Sequence, residues 1–153
     1  MKPKLRLLSL IAVSPRGDGE PELLWSYPYP DLGLQAVSAD GRYAWIGVDL
    51  VDLEEGELVH VRERNSLDSF AFSPDGEWWL YTYQTVSREG GTHVVYRLAV
   101  RPAGTPEEEE QVLLEGKRGA IILGWSHANL VGILLVSRED PAVELLRLVP
   151  VER

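Results

Sequence analysis

Phe70-Ala71-Phe72-Ser73-Pro74-Asp75-Gly76-Glu77-Trp78-Trp79-Leu80-Tyr81-Thr82-Tyr83 is the stretch on which the fold turns. Its middle four residues are turn chemistry. Pro74 presets φ at the first corner, Asp75 caps backbone donors, and Gly76 accepts a positive φ. The flanks are rich in aromatic residues, as strands are. The pattern therefore predicts a tight hairpin, with Asp75 as the cap and Gly76 at positive φ.

Two further segments share the shape. They are Ala36-Val37-Ser38-Ala39-Asp40-Gly41-Arg42-Tyr43 and Gly124-Trp125-Ser126-His127-Ala128-Asn129-Leu130. The third has no glycine after Asn129, so Asn129 itself is expected in the left-handed region. Between and beyond these copies the chain reads as strands. Thr92 to Val100 is rich in β-branched residues, and Leu130 to Val136 is apolar almost throughout, as a strand covered on both faces should be. Turn pairs punctuate the runs at Asp40-Gly41, Glu55-Gly56, Asp75-Gly76, Gly90-Gly91 and Asp140-Pro141. No segment keeps the apolar spacing of a helix between good caps. The class is all-β, built as a sandwich, a barrel or a propeller.

The repeat favours the propeller. Ser73-Pro74-Asp75-Gly76 after Phe70-Ala71-Phe72, with an aromatic strand following, resembles the Ser-Pro-Asp-Gly hairpin of TolB-like and WD-repeat-like β-propellers. The resemblance implies antiparallel four-stranded blades in which the motif joins the innermost strand to the second. It implies no ligand. The Trp-Asp dipeptide of true WD repeats is absent, which leans the resemblance to the TolB-like side.

Spacing extends the reading. Ser38 and Ser73 lie 35 residues apart, near the propeller repeat of about 40, and Ser73 and Ser126 lie 53 apart. The excess is assigned to two loops, Thr85 to Gly91 and Arg101 to Glu110. Outer strands are expected a fixed distance before each serine, around Trp25, Val61 and Leu114. The expected organisation is one domain over 1–153, with two strands in 1–31, a blade in 32–65, a blade in 66–116 and an incomplete blade in 117–153. That makes 13 strands, or about three blades. Closed propellers have four to eight blades. A homodimer completing a six-bladed ring is the expected assembly, since it removes the open edges at both ends.

Composition bounds the function. The chain has 153 residues, no cysteine and a formal net charge of −9. The missing thiol excludes disulfides, cysteine zinc sites, iron–sulfur clusters and a thiol nucleophile. The acidity argues against nucleic acid, whose phosphates need a basic face. No apolar run reaches the roughly 18 residues of a membrane span. Met1 to Val13 begins basic and turns apolar like a secretory signal, but no small-x-small cleavage site follows it. It is read as a strand, and a cytoplasmic location is expected.

Candidate chemistry is thin. His60, His93 and His127 fall far apart and show no metal-ligand spacing. Ser126 lacks a nucleophile elbow and aligns with the turn serines. Trp79, Tyr81 and Tyr83 form one face of a strand; packing between blades is the expected role, and a stacking platform the alternative. Glu107 to Glu110 reads as a solvated loop, and Asp49, Asp52, Glu54 and Glu55 as a hairpin surface without pKa-shifting burial. No cofactor or metal is expected. The loops leading from outer to innermost strands carry Tyr27, Tyr29, Arg62, Arg64, Lys117 and Arg118, a candidate partner-contact rim. Two functions remain open. One is a non-catalytic module for assembly or binding of another protein. The other is a propeller hydrolase or lyase with a site scattered around the central channel. The innermost strands, Leu34 to Val37, Ser69 to Phe72 and Ile121 to Gly124, are mainly apolar, which favours the module.

Overall fold

The three turn motifs each close a hairpin. In a computed structural model of the chain, which describes residues 7–12, 19–20, 22–28, 34–136 and 142–147 and side chains over 19–20 and 36–136, Gly76 has φ +77 and Gly41 has φ +73. The Gly76 amide donates to the Ser73 carbonyl (2.9 Å), and the Trp78 amide donates to the Ser73 hydroxyl oxygen (2.9 Å). Asp75 Oδ1 accepts from the Glu77 amide at 2.9 Å. Ser38 and Asp40 repeat the arrangement with Gly41, Arg42 and Tyr43. Asn129 stands at φ 57, three residues after Ser126, and its amide donates to the Ser126 carbonyl. It therefore occupies the glycine's place in a turn one residue shorter, the left-handed position expected of it.

These hairpins sit in antiparallel meanders. Sheet I pairs β1 (Leu7–Ala12) with β2 (Glu22–Pro28). Sheet II runs β3 (Leu34–Val37), β4 (Tyr43–Ile46), β5 (Asp49–Asp52) and β6 (Glu57–Val59) in order. Sheet III runs β7 (Leu67–Phe72), β8 (Trp78–Ser87), β9 (His93–Pro102) and β10 (Gln111–Gly116). Sheet IV runs β11 (Gly119–Trp125), β12 (Leu130–Val136) and β13 (Ala142–Arg147). The chain is all-β and antiparallel. A single 3₁₀ turn, Glu107–Glu109, is the only helical element among the described residues.

Sheets II, III and IV stack face to face, and the period of two along each strand decides which side chain serves which interface. From β4 and β5, Tyr43, Trp45 and Leu50 pack with Phe70, Trp79, Tyr81, Tyr83 and Ala99 of sheet III. Ala44 and Ile46 of β4, with Val51 of β5, bury the opposite face of sheet II. Sheet III alternates likewise. Leu80, Leu98 and Val100 point the other way and meet Val131 and Ile133 of sheet IV. Aromatic contacts fix the first interface: Trp45 stacks on Phe70 at 5.0 Å, and Tyr43 meets Trp79 edge-on at 5.2 Å. First strands are neighbours too, β3 beside β7 and β7 beside β11. The backbone amide of Ile122 donates to the Ser69 hydroxyl oxygen (3.1 Å), which also shares a hydrogen bond with Thr82.

Two local expectations change. Residues 85–87 are not loop. β8 continues to Ser87 and pairs through Val86↔Val94 to Ser87↔His93, so the extra length of this unit lies partly in longer strands. The β-branched Thr85, Val86, Val94 and Val95 favour extension, and the turn contracts to residues 88–92. Arg101 and Pro102 likewise belong to β9. The outer strand expected around Val61 ends at Val59. Val61 lies just beyond it, buried, where its carbonyl accepts from Arg101 Nη1 at 2.7 Å.

Candidate functional site

The stacking brings β3, β7, β11 and their turns around one concave mouth of about 520 Å³. Its wall is Val37 and Ala39 from sheet II, Phe72, Ser73 and Pro74 from sheet III, and Leu123 and Trp125 from sheet IV, with their chain neighbours. Leu123 sits at the bulge between Ile122 and Gly124, which turns it out of the ladder and leaves it 57% exposed. The wall is apolar apart from backbone, the Ser73 hydroxyl and the Trp125 indole. Ser73 is already engaged with Asp75 and Trp78. Polar backbone groups share this surface with the apolar side chains, and among the described residues no titratable side chain lines it.

Charge converges elsewhere, at the outer side of the interface between sheets II and III. Arg62, from the segment joining β6 to β7, places Nη1 at 2.7 Å and 2.8 Å from the two Glu110 carboxylate oxygens. Its Nη2 meets Glu107 at 2.9 Å. The guanidinium lies over the Tyr83 ring, 3.9 Å from its centroid. The Tyr81 and Tyr83 hydroxyls donate to the two Glu110 oxygens at 2.6 Å and 2.8 Å. Burial, followed by the Glu110 hydrogen bond, pushes both phenols above their ordinary range. Proton donation by either is thereby disfavoured, and the cluster acts as a lock between a loop of sheet II and the central strand of sheet III. Glu108 and Glu109 are exposed, as expected of a solvated loop, whereas Glu107 and Glu110 are drawn onto Arg62. The 3₁₀ turn delivers Glu110, with a side chain only 10% exposed, onto three donors.

The same interface buries Arg101, whose guanidinium lies near the Trp79 and Tyr81 rings. A groove of about 480 Å³ passes over it, bordered by Asp52, His60, Glu63, Glu107 and Glu108. Asp52 also departs from expectation, for it is buried. Burial raises its pKa, but the amides of Glu55 and Glu54 and the Arg42 guanidinium outweigh that and hold the carboxyl below its ordinary value. It is a turn cap. Asp49, Glu54 and Glu55 are half-buried or exposed.

Of the expected rim, the described loop residues border different grooves. Arg62 is committed to Glu107 and Glu110. Arg64 is exposed and borders a groove with His60 and Asn65. Lys117 and Arg118 are exposed beside a different groove, between β9, β10 and sheet IV. Tyr27 lies in β2, opposite Leu8. Tyr29 lies outside the described residues. His60 and His127 are exposed, and His93 makes a local contact with Gly91. Among the described residues no group of histidines and carboxylates could hold a metal ion, and no helix is long and apolar enough to cross a membrane. Sequence reading missed Glu110 and Arg101, whose partners lie 27 to 48 residues away. The signal available for Glu110 was its place at the end of an acidic run directly before a strand. No protein-family model and no curated protein matches the chain.

Proposed function

We propose that this chain is a β-propeller-type protein of TolB-like character, its sheets II, III and IV acting as successive blades, and that its role is non-catalytic: assembly, and binding of a protein partner. Face-to-face stacking of consecutive meanders, with neighbouring first strands joined to second strands by a repeated Ser-Pro-Asp-Gly-type turn, supports the blade reading. The observation that carries the module over the enzyme is that, among the described residues, no titratable side chain lines the mouth where the three first strands meet. Arg64 and Lys117 are exposed loop residues that such a partner could meet.

The test is a substrate screen for ester, phosphate, glycoside and lyase chemistry at high protein concentration. Turnover no greater than the blank is expected. Turnover that co-purifies with the chain, and is abolished by Leu123→Trp filling the mouth, would install the hydrolase or lyase instead.

A further inference from the structure

We infer that the groove over Arg101 binds a small zwitterion, a molecule carrying both a carboxylate and an ammonium group. Arg101 at the floor takes the carboxylate, and Glu63 and Glu108 at the border take the ammonium. The inference stands apart from the blade reading. Arg101 is 3% exposed. Among the described residues its guanidinium makes one hydrogen bond, from Nη1 to the Val61 carbonyl oxygen, and no ion pair. Its Nε is buried without an acceptor. So is the indole N–H of Trp79, whose ring centroid lies 5.3 Å from the guanidinium carbon. Arginine stays protonated in a protein. A buried cation without a paired anion is costly, and so is each buried donor without an acceptor. The Trp79 and Tyr81 rings offset part of that cost. Glu110, in the same interface, is already taken by Arg62 and two phenols. Arg101 and Trp79 both line the groove of about 480 Å³, and a carboxylate entering there supplies the missing counter-charge.

The border of the groove selects the class of ligand. Two of its carboxylates are engaged, Asp52 by Arg42 and Glu107 by Arg62. Glu63 and Glu108 are exposed and form no ion pair among the described residues. A bare anion is repelled by this border and by the net charge of −9. A bare cation is repelled by the floor. A molecule with both charges meets its complement at each end. The volume suits a ligand of amino-acid size.

The test is titration of the full chain with L-lysine at pH 7, followed by the indole N–H resonances in NMR. The Trp79 resonance is expected to shift and to saturate in roughly the millimolar range. Cadaverine lacks the carboxylate and hexanoate lacks the amines, so each is expected to bind about tenfold more weakly. The Trp125 indole, also buried without a partner but lining the mouth, should stay in place. Arg101→Lys keeps the charge but loses the planar fork, and about a tenfold loss of lysine binding is expected. Should that variant fail to fold, Glu63→Gln combined with Glu108→Gln makes the test at two exposed positions. Lysine binding should then weaken about tenfold, with the melting temperature held and hexanoate binding no weaker than before. The inference is overturned by the lack of a saturable Trp79 shift, by an equal shift at Trp125, or by folded variants that bind lysine as the wild type does. Cadaverine or hexanoate matching lysine overturns it too, since one charge would then suffice. Arg101 would in each case be a structural cation only.

Discussion

Sheets III and IV are both antiparallel meanders opened by the same kind of turn, yet they are held in different ways. Sheet III is covered on both faces. Its β8 alternates Trp79, Tyr81 and Tyr83 toward sheet II with Leu80 and Thr82 toward sheet IV, and all five are buried. Sheet IV is just as apolar in β12, but one of its faces is open. Apolarity along a strand therefore states a requirement for cover without naming what supplies it. The second difference is polar. Sheet III is bolted to its neighbour by Glu110, with Arg62 and two tyrosines as donors, whereas the interface with sheet IV is apolar packing of aliphatic side chains with Trp78 and Trp125, joined by the Ser69 bridge.

The sharpest way to break this comparison is to remove the centre of the covered sheet. Trp79→Ala is expected to cost about 3–5 kcal/mol in denaturant unfolding, through lost burial and the cavity left behind. A cost under about 1 kcal/mol would show that sheet III is not packed as described. Next comes the bolt. Glu110→Ala leaves two phenols without their acceptor and the Arg62 guanidinium with only Glu107 and Asn65, and about 3 kcal/mol is expected. Glu108→Ala, an exposed neighbour in the same turn, should stay within about 0.5 kcal/mol. Equal effects at the two positions would mean that Glu110 is solvated after all.

The difference between these glutamates also marks how far the sequence could be read. The hairpin at Ser73 to Gly76 was legible because every determinant lies within six residues: the preset corner, the cap and the glycine. β12 was legible because an apolar run between turn signals has few other readings. The four glutamates, by contrast, look alike in sequence. What singles out Glu110 is a partner 48 positions upstream and two phenols on another strand, and no local pattern records that. The pairing of Arg62 with Glu107 and Glu110 is hidden for the same reason. Residues 85–87 read as loop in sequence because two glycines lie nearby, yet pairing with Val94 and Val95 continues the strand.

Smaller effects test the turns. Gly76→Ala should cost about 1 kcal/mol, since alanine is strained at φ +77. Steric conflict is not the cause, because an added Cβ would meet Ala39 at an ordinary 3.6 Å. Asn129→Gly, at the equivalent position of sheet IV, should change stability by only a few tenths of a kcal/mol, because asparagine already tolerates this region. Thermal unfolding of both variants checks the pair. A large loss at Asn129 would mean that its side chain does something glycine cannot.

The smallest expected effect separates the sheets by pH. In the turns of sheets II and III a carboxylate accepts from a serine hydroxyl first and a backbone amide second: Ser38 and Arg42 on Asp40, Ser73 and Glu77 on Asp75. Both hold the carboxyl below its ordinary value of 3.8. A carboxyl with a lowered folded-state pKa adds stability that is present above the unfolded-state value and lost as pH falls through the folded one. The turn of sheet IV has Asn129 and no carboxylate, so it has nothing to lose. Between pH 6 and pH 3, amide exchange at Gly76 and Gly41 should accelerate, relative to the intrinsic rate, more than at Asn129, whose amide makes the equivalent bond to a serine carbonyl. Asp75→Asn should flatten the response at Gly76 alone. Equal acceleration at all three turns would trace the acid sensitivity to the whole fold, and the local carboxylates would lose their part in it.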